Sequence, residues 1–89
     1  MKVVLFLVQP VFPLASLPCE QSAIICGLEG DGFWRERLQD LGFIEFSPVT
    51  CLFSSAFGDP RAYRIKDTII ALRKKDAQNI LCTYTGEQQ

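Results

Sequence analysis

A chain of 89 residues that is 48% hydrophobic and 21% charged is one small folded domain, too short for an interdomain cleft and too apolar to stay disordered. Its net charge of -1, with acids and bases interspersed, lacks the basic surplus of a nucleic-acid binder, so no nucleic-acid partner is expected. The absence of histidine removes Ser-His-Asp and Cys-His catalysis and the commonest neutral metal ligand, and no paired acid and base stands out, so no enzyme activity is expected.

Taken in order, the chain opens on MKVVLFLVQP. The apolar run at residues 3–8 is shorter than the about 20 residues of a membrane span, and Gln9 and Pro10 follow it where a leader would place small residues. Residues 1–13 are therefore expected to be an N-terminal extension, an extra strand or a tail, with no direct membrane insertion. Pro10, Pro13 and Pro18 make residues 9–18 read as an extended connector. Residues 21–28 (QSAIICGL) alternate as a strand, Ala23 and Ile25 on one face, Ile24, Cys26 and Leu28 on the other.

A helix of about three turns follows. Asp31 is a suitable N-cap, Trp34, Leu38 and Leu41 form a stripe at i, i+4 and i+7, and Gly42 is a natural stop. Residues 48–53 predict a strand with Val49, Cys51 and Phe53 on one face. SSAFGDP, residues 54–60, is turn chemistry. RAYRIK, residues 61–66, alternates with Tyr63 and Ile65 inward and Ala62, Arg64 and Lys66 outward. A tight break at Asp67 precedes a strand at 68–72, residues 74–79 allow one helical turn, residues 80–84 predict a closing strand, and 85–89 a flexible tail. The fold class is mainly β: about five short strands with one helix inserted after the first, a small sandwich or barrel.

Four cysteines, Cys19, Cys26, Cys51 and Cys82, form no C-x-x-C pair. Cys26, Cys51 and Cys82 lie among apolar residues and read as buried small hydrophobes in a reducing, cytoplasmic setting. The loop GLEGDG, residues 27–32, raises phosphate binding, but its glycine spacing is not that of a dinucleotide fold. Phe33-Trp34 also stand where a P-loop has Lys and Ser/Thr, and Glu29 and Asp31 would repel phosphate. Glu29 with Asp31, or Glu36 with Asp40 at i, i+4, could offer oxygens to a divalent cation. Two carboxylates make a weak site, and the simpler reading has Asp31 capping the helix and Glu36 and Asp40 solvated beside Arg35 and Arg37.

Three segments together, LEGDGFWRERLQDLGF (28–43), SSAFGDPRAYRI (54–65) and IALRKKDAQNIL (70–81), resemble the ferrous iron transport protein A family. Arg37-Leu38, Asp40-Leu41-Gly42, Gly58-Asp59-Pro60 and Ala71-Leu72-Arg73 match at the right separations, and the likeness spans residues 14–84. The resemblance implies an SH3-like β-barrel with the helix in its first long loop. It implies a non-catalytic, cytoplasmic accessory protein of ferrous iron uptake that docks on the cytosolic GTP-binding region of a membrane ferrous iron permease and needs no cofactor. On that reading the docking residues are sought at Phe33, Trp34, Arg35, Phe46 and Phe57, with core packing the competing role for each aromatic.

The alternative the resemblance carries is a sensor or carrier that binds Fe2+ or another divalent metal weakly, through Glu29, Asp31, Glu36 and Asp40, as in the C-terminal domains of metal-dependent repressors. Two departures stand out. Glu20 and Phe46 occupy positions where the family usually has Gly, so both turns are expected to be built differently, with Phe46 exposed. VVLFLV lies outside the usual family extent and could add an edge strand to a second copy, giving a homodimer; a tail packed on its own barrel is the competitor.

Overall fold

Period-two alternation between turn residues builds strands that can bury only one face, so they must curl on a shared core. A computed structural model describes residues 10–84. The elements are β1 (Phe12–Pro13), a 3-10 turn (Leu14–Ser16), β2 (Ser22–Leu28), α1 (Gly32–Asp40), β3 (Pro48–Ser54), β4 (Arg61–Ile65), β5 (Thr68–Leu72), α2 (Lys74–Ala77) and β6 (Ile80–Thr83). One antiparallel six-stranded sheet has the order β1-β6-β2-β3-β4-β5. The expected strand at residues 3–8, a dimer formed through it, and the tail at 85–89 lie outside the described residues.

One side chain on β4 reaches across to the segment that follows β1. Arg61 on β4 donates from Nη1 to the Ala15 carbonyl at 2.7 Å and from Nη2 to the Leu17 carbonyl at 2.6 Å, just past β1. Behind β5, α2 packs on the 3-10 turn. Over its described residues, 10–18, the segment expected as an extended connector at 9–18 is thus more than that. Phe12 and Pro13 pair with Cys82 and Leu81, and Leu14 and Leu17 are completely buried, each contributing about 1.5–3 kcal/mol. The prolines suggested a connector because they remove donors, but this segment's place in the fold comes from its leucines.

Tyr63, Phe43, Leu38, Ile25, Ile65, Ile80, Val49, Cys51 and Cys82 fill the rest of the core. Two bulges move faces that alternation alone predicts. In β3 the register jumps between Cys51, opposite Tyr63, and Phe53, opposite Ala62. Phe53 is therefore turned outward and is 62% exposed instead of sharing the inner face with Val49 and Cys51. Ala62, expected to face water, lies across from that ring and is buried. In β2 the jump between Ile25 and Gly27 leaves Cys26 as the extra residue, half-buried where a buried position was expected.

The helix also ends differently. α1 stops at Asp40, and Gly42 takes φ +112, with Ile65 Cγ1 only 3.4 Å from where a Cβ would stand. The chain then turns so that Phe43 is buried, its N–H donating to the Leu38 carbonyl at 3.0 Å, while Leu41 is left exposed. Glu20 and Phe46 have φ +72 and +71. Far from being built differently, both turns adopt the left-handed backbone that glycine takes freely, and they carry a side chain on it.

Candidate docking surface

The glycine loop is folded onto its own helix. Asp31 Oδ1 accepts from the Trp34 N–H at 2.9 Å and caps α1, as its position predicts. Arg35 Nη1 donates to the Gly30 carbonyl at 3.0 Å, and the Glu29 N–H donates to the Asn79 carbonyl at 2.7 Å, tying the loop to the turn before β6. Nine residues of helix are too short to persist alone, so α1 depends on Leu38, fully buried, and Trp34, half-buried against the core. Trp34 is thus mainly a packing residue, and Arg35 mainly braces the loop.

Among the charged residues on the exposed side of the helix and at its C-cap are two large apolar side chains, Phe33 and Leu41. Phe33, Arg37 and Leu41 fall at i, i+4 and i+8, one outward stripe. Phe33 is 69% exposed with the Arg37 guanidinium 5.9 Å from its ring centroid. Ile44 and Phe46 continue the apolar surface past the helix, and Phe46 is 76% exposed on its left-handed backbone. Around it the chain is fixed: the Phe46 N–H donates to the Ile25 carbonyl at 2.7 Å and the Ser47 carbonyl accepts from the Ile25 N–H at 2.9 Å.

Phe57, 95% exposed, stands on a different element, the β3–β4 turn. That turn is closed by Gly58 N–H to the Ser55 carbonyl at 2.9 Å, Asp59 N–H to Ser55 Oγ at 3.1 Å and Ser55 N–H to the Pro60 carbonyl at 3.0 Å. Asp59 Oδ1 accepts from the Lys74 N–H at 2.8 Å. A well-bonded loop therefore presents a bare ring. Sequence reasoning missed Phe53 and Ile69, both exposed on the outer face of β3–β5. Phe53 was unrecognisable because its direction depends on the bulge; Ile69 sits opposite Arg64, and that outward pairing was the available signal.

Glu29, Asp31, Glu36 and Asp40 are all exposed. Asp31 is engaged as the cap, and Glu36 and Asp40 lie one turn apart on α1. Among the described residues no group of three or more His, Cys, Asp and Glu side chains could hold a metal ion together. Among the same residues no helix is long and apolar enough to cross a membrane.

A family model described as the FeoA domain matches residues 12–84, starting at the first residue of β1. The chain belongs to the FeoA family. That family serves ferrous iron transport, and the chain is 34% identical over 67 residues to the Fe(2+) transport protein A/Fe(2+) transporter FeoB fusion protein of Porphyromonas gingivalis. The match takes in 75% of this chain and only 8% of that relative's length. Among solved structures, iron(II) transport protein A from Clostridium thermocellum superposes with a TM-score of 0.78 at 29% identity, over 84% of this chain and 46% of that one. The zinc complex of Stenotrophomonas maltophilia FeoA, described as a procaryotic SH3 domain protein, gives 0.71 at 24% identity over 80% and 88%. The mainly β, SH3-like architecture is therefore that of FeoA proteins.

Proposed function

We propose that this FeoA domain is a non-catalytic docking module of ferrous iron uptake that engages the cytosolic GTP-binding region of the ferrous iron permease. The observation that carries the reading is the Porphyromonas gingivalis relative, in which protein A and FeoB are one polypeptide. Fusion holds two domains at an effective concentration of about millimolar, so it suits a weak contact that matters only when local. The surface here fits that scale. Burying Phe33, Phe46 and Phe57 would yield about 1.5–3 kcal/mol each, against an association cost of at least about 4 kcal/mol. The net of at most about 5 kcal/mol corresponds to an affinity of about 0.2 mM or weaker, useful only where the partner is held close.

Docking acts on the transporter by differential affinity: whichever permease state fits the apolar surface better is the one whose population rises. The test is a titration of this protein against the permease's isolated GTP-binding region, with and without nucleotide. Saturable binding weakened by Phe33→Ser and Phe46→Ser supports the reading. Absence of binding at about 1 mM, weaker than about -4 kcal/mol and below what a millimolar effective concentration could use, refutes docking on that region. An anaerobic Fe2+ titration followed by NMR separates the competing metal reading, because shifts confined to Glu29, Asp31, Glu36 or Asp40 would put the ligand there.

A further inference from the structure

We propose that Cys19 and Cys51 form a peroxide-oxidisable thiol pair, in which exposed Cys19 is attacked first and buried Cys51 resolves it to an intramolecular disulfide. The two residues are far apart in sequence and meet only in the fold. Cys19 lies exposed in the loop before β2, and Cys51 lies fully buried in the middle of β3. The Cys51 S–H points at Cys19 Sγ across 3.5 Å. A disulfide spans about 2.05 Å, so closure asks for about 1.5 Å of movement, and the loop residue is the one able to supply it. The flanking backbone holds the pair in register: the Glu20 N–H donates to the Cys51 carbonyl at 2.6 Å and the Cys51 N–H to the Gln21 carbonyl at 3.0 Å.

Arg61 distinguishes the two sulfurs. Its Nη2 lies 3.5 Å from Cys19 Sγ while the same guanidinium is pinned by the Ala15 and Leu17 carbonyls, so a fixed cation sits beside one thiol. Arg61, and after it the Cys51 S–H, holds the Cys19 thiol below its ordinary range. Burial pushes Cys51 up to about 11. Cys82 is pushed up to about 12 and Cys26 also rises, both chiefly by burial, so neither competes as a thiolate. The attacking and resolving roles are thereby separated.

The chemistry balances with a hydroperoxide as oxidant. The Cys19 thiolate attacks one oxygen of hydrogen peroxide; an S–O bond forms, the O–O bond breaks, and hydroxide leaves to take up a proton as water. The sulfur is oxidised to sulfenic acid and the peroxide is reduced. Cys51 sulfur then attacks the sulfenic sulfur, the S–S bond forms, the S–O bond breaks, and the departing oxygen takes the Cys51 proton and leaves as a second water. The product ties the loop carrying Cys19 to β3 and removes the negative charge from beside Arg61.

The experiment uses the reduced, metal-free, full-length protein. It is treated with hydrogen peroxide near neutral pH, acid-quenched, unfolded in N-ethylmaleimide and analysed by mass spectrometry. The expected result is loss of two alkylatable thiols with a mass decrease of about 2 Da before alkylation, mapped to a Cys19–Cys51 peptide. The reaction should be at least about tenfold slower in urea-unfolded protein, where Arg61 no longer adjoins Cys19. Cys19→Ser should leave the other three thiols alkylatable at the same dose. Cys51→Ala should stop at a Cys19 sulfenic acid captured by dimedone. Full alkylation of Cys19 and Cys51 at a dose that oxidises free cysteine, a different linkage, or equal rates folded and unfolded would each overturn the proposal.

Discussion

Replacing Phe46 by Gly is expected to make the protein more stable and the proposed docking weaker. Phe46 has φ +71, a left-handed conformation that costs a side-chain-bearing residue about 1–2 kcal/mol. Glycine removes that strain but adds about 0.5–1 kcal/mol of freedom to the unfolded chain. The ring is 76% exposed and offsets little through burial. The net gain should be about 0.5–1 kcal/mol, which in a domain of this size moves the melting temperature up by roughly 2–8 °C. Phe46→Ala separates the contributions, since it removes the ring and keeps the strained backbone, and should leave the melting temperature nearly unchanged. Calorimetry on the three proteins measures the stability, and titration against the permease's GTP-binding region measures the function. Both substitutions should weaken binding at least about fivefold, since a strained residue held at a surface is retained for what its side chain contacts. A melting temperature that falls in Phe46→Gly would refute the backbone argument. Higher stability with unchanged binding would refute the role given to the ring.

Four other outcomes are expected. Tyr63→Phe should stabilise by about 1–2 kcal/mol, because the Tyr63 hydroxyl is buried without a hydrogen-bond partner among the described residues; a lower denaturation midpoint would sink the idea. Asp31→Ala should cost about 1 kcal/mol by removing the cap on Trp34 N–H, read as a loss of helical circular dichroism before the main transition or as a lower melting temperature. Arg61→Met should destabilise by about 1.5–3 kcal/mol through the lost bonds to Ala15 and Leu17, and should shift the pH profile of Cys19 alkylation upward; an unshifted profile would remove Arg61 as the cause.

Alkaline pH supplies the fourth. Cys51, Cys82 and Tyr63 have values raised by burial to about 11, about 12 and about 12, so the fold binds their protons more tightly than the unfolded chain does. Their contribution is complete below the ordinary values of 9.0 and 10.0 and is lost as pH rises through the raised ones. Cys19, depressed, acts in the opposite sense: its contribution is present above 9.0 and is lost as pH falls through its folded value. Cys26 is also raised by burial, so four groups stand against one, and the melting temperature should fall as pH is raised from 9 towards 11, less steeply in Tyr63→Phe. A flat profile would contradict the burial argument.

Local chemistry was legible wherever the deciding contact lies within a few residues. Asp31 caps a helix because its carboxylate needs only the amide three residues on. Gly42 stops that helix because its own backbone freedom allows φ +112. Tyr63 and Ile65 face inward because a strand alternates whatever it packs against. The motif string from Leu28 to Leu81 marked the family, and the matching family model and the SH3-like architecture agree with it.

The sequence by itself therefore determined five of the six described strands, the capped helix and the kinship; β1 emerged only from its pairing with β6. Only the tertiary structure decided which apolar side chains stand exposed and which residues meet each other. The bulge in β3 turns Phe53 outward and Ala62 into shelter, and a one-residue insertion in a ladder is set by strand pairing, not by the residue that is inserted. The end of α1 gives Phe43 the core position that the stripe assigned to Leu41, because the turn redirects the chain before the helical period is complete. Arg61, the Ala15 and Leu17 carbonyls, Cys19 and Cys51 come together from positions more than 40 residues apart at the widest. No spacing in the sequence encodes that meeting, because it exists only once the sheet has curled and brought β4 within reach of the segment that follows β1.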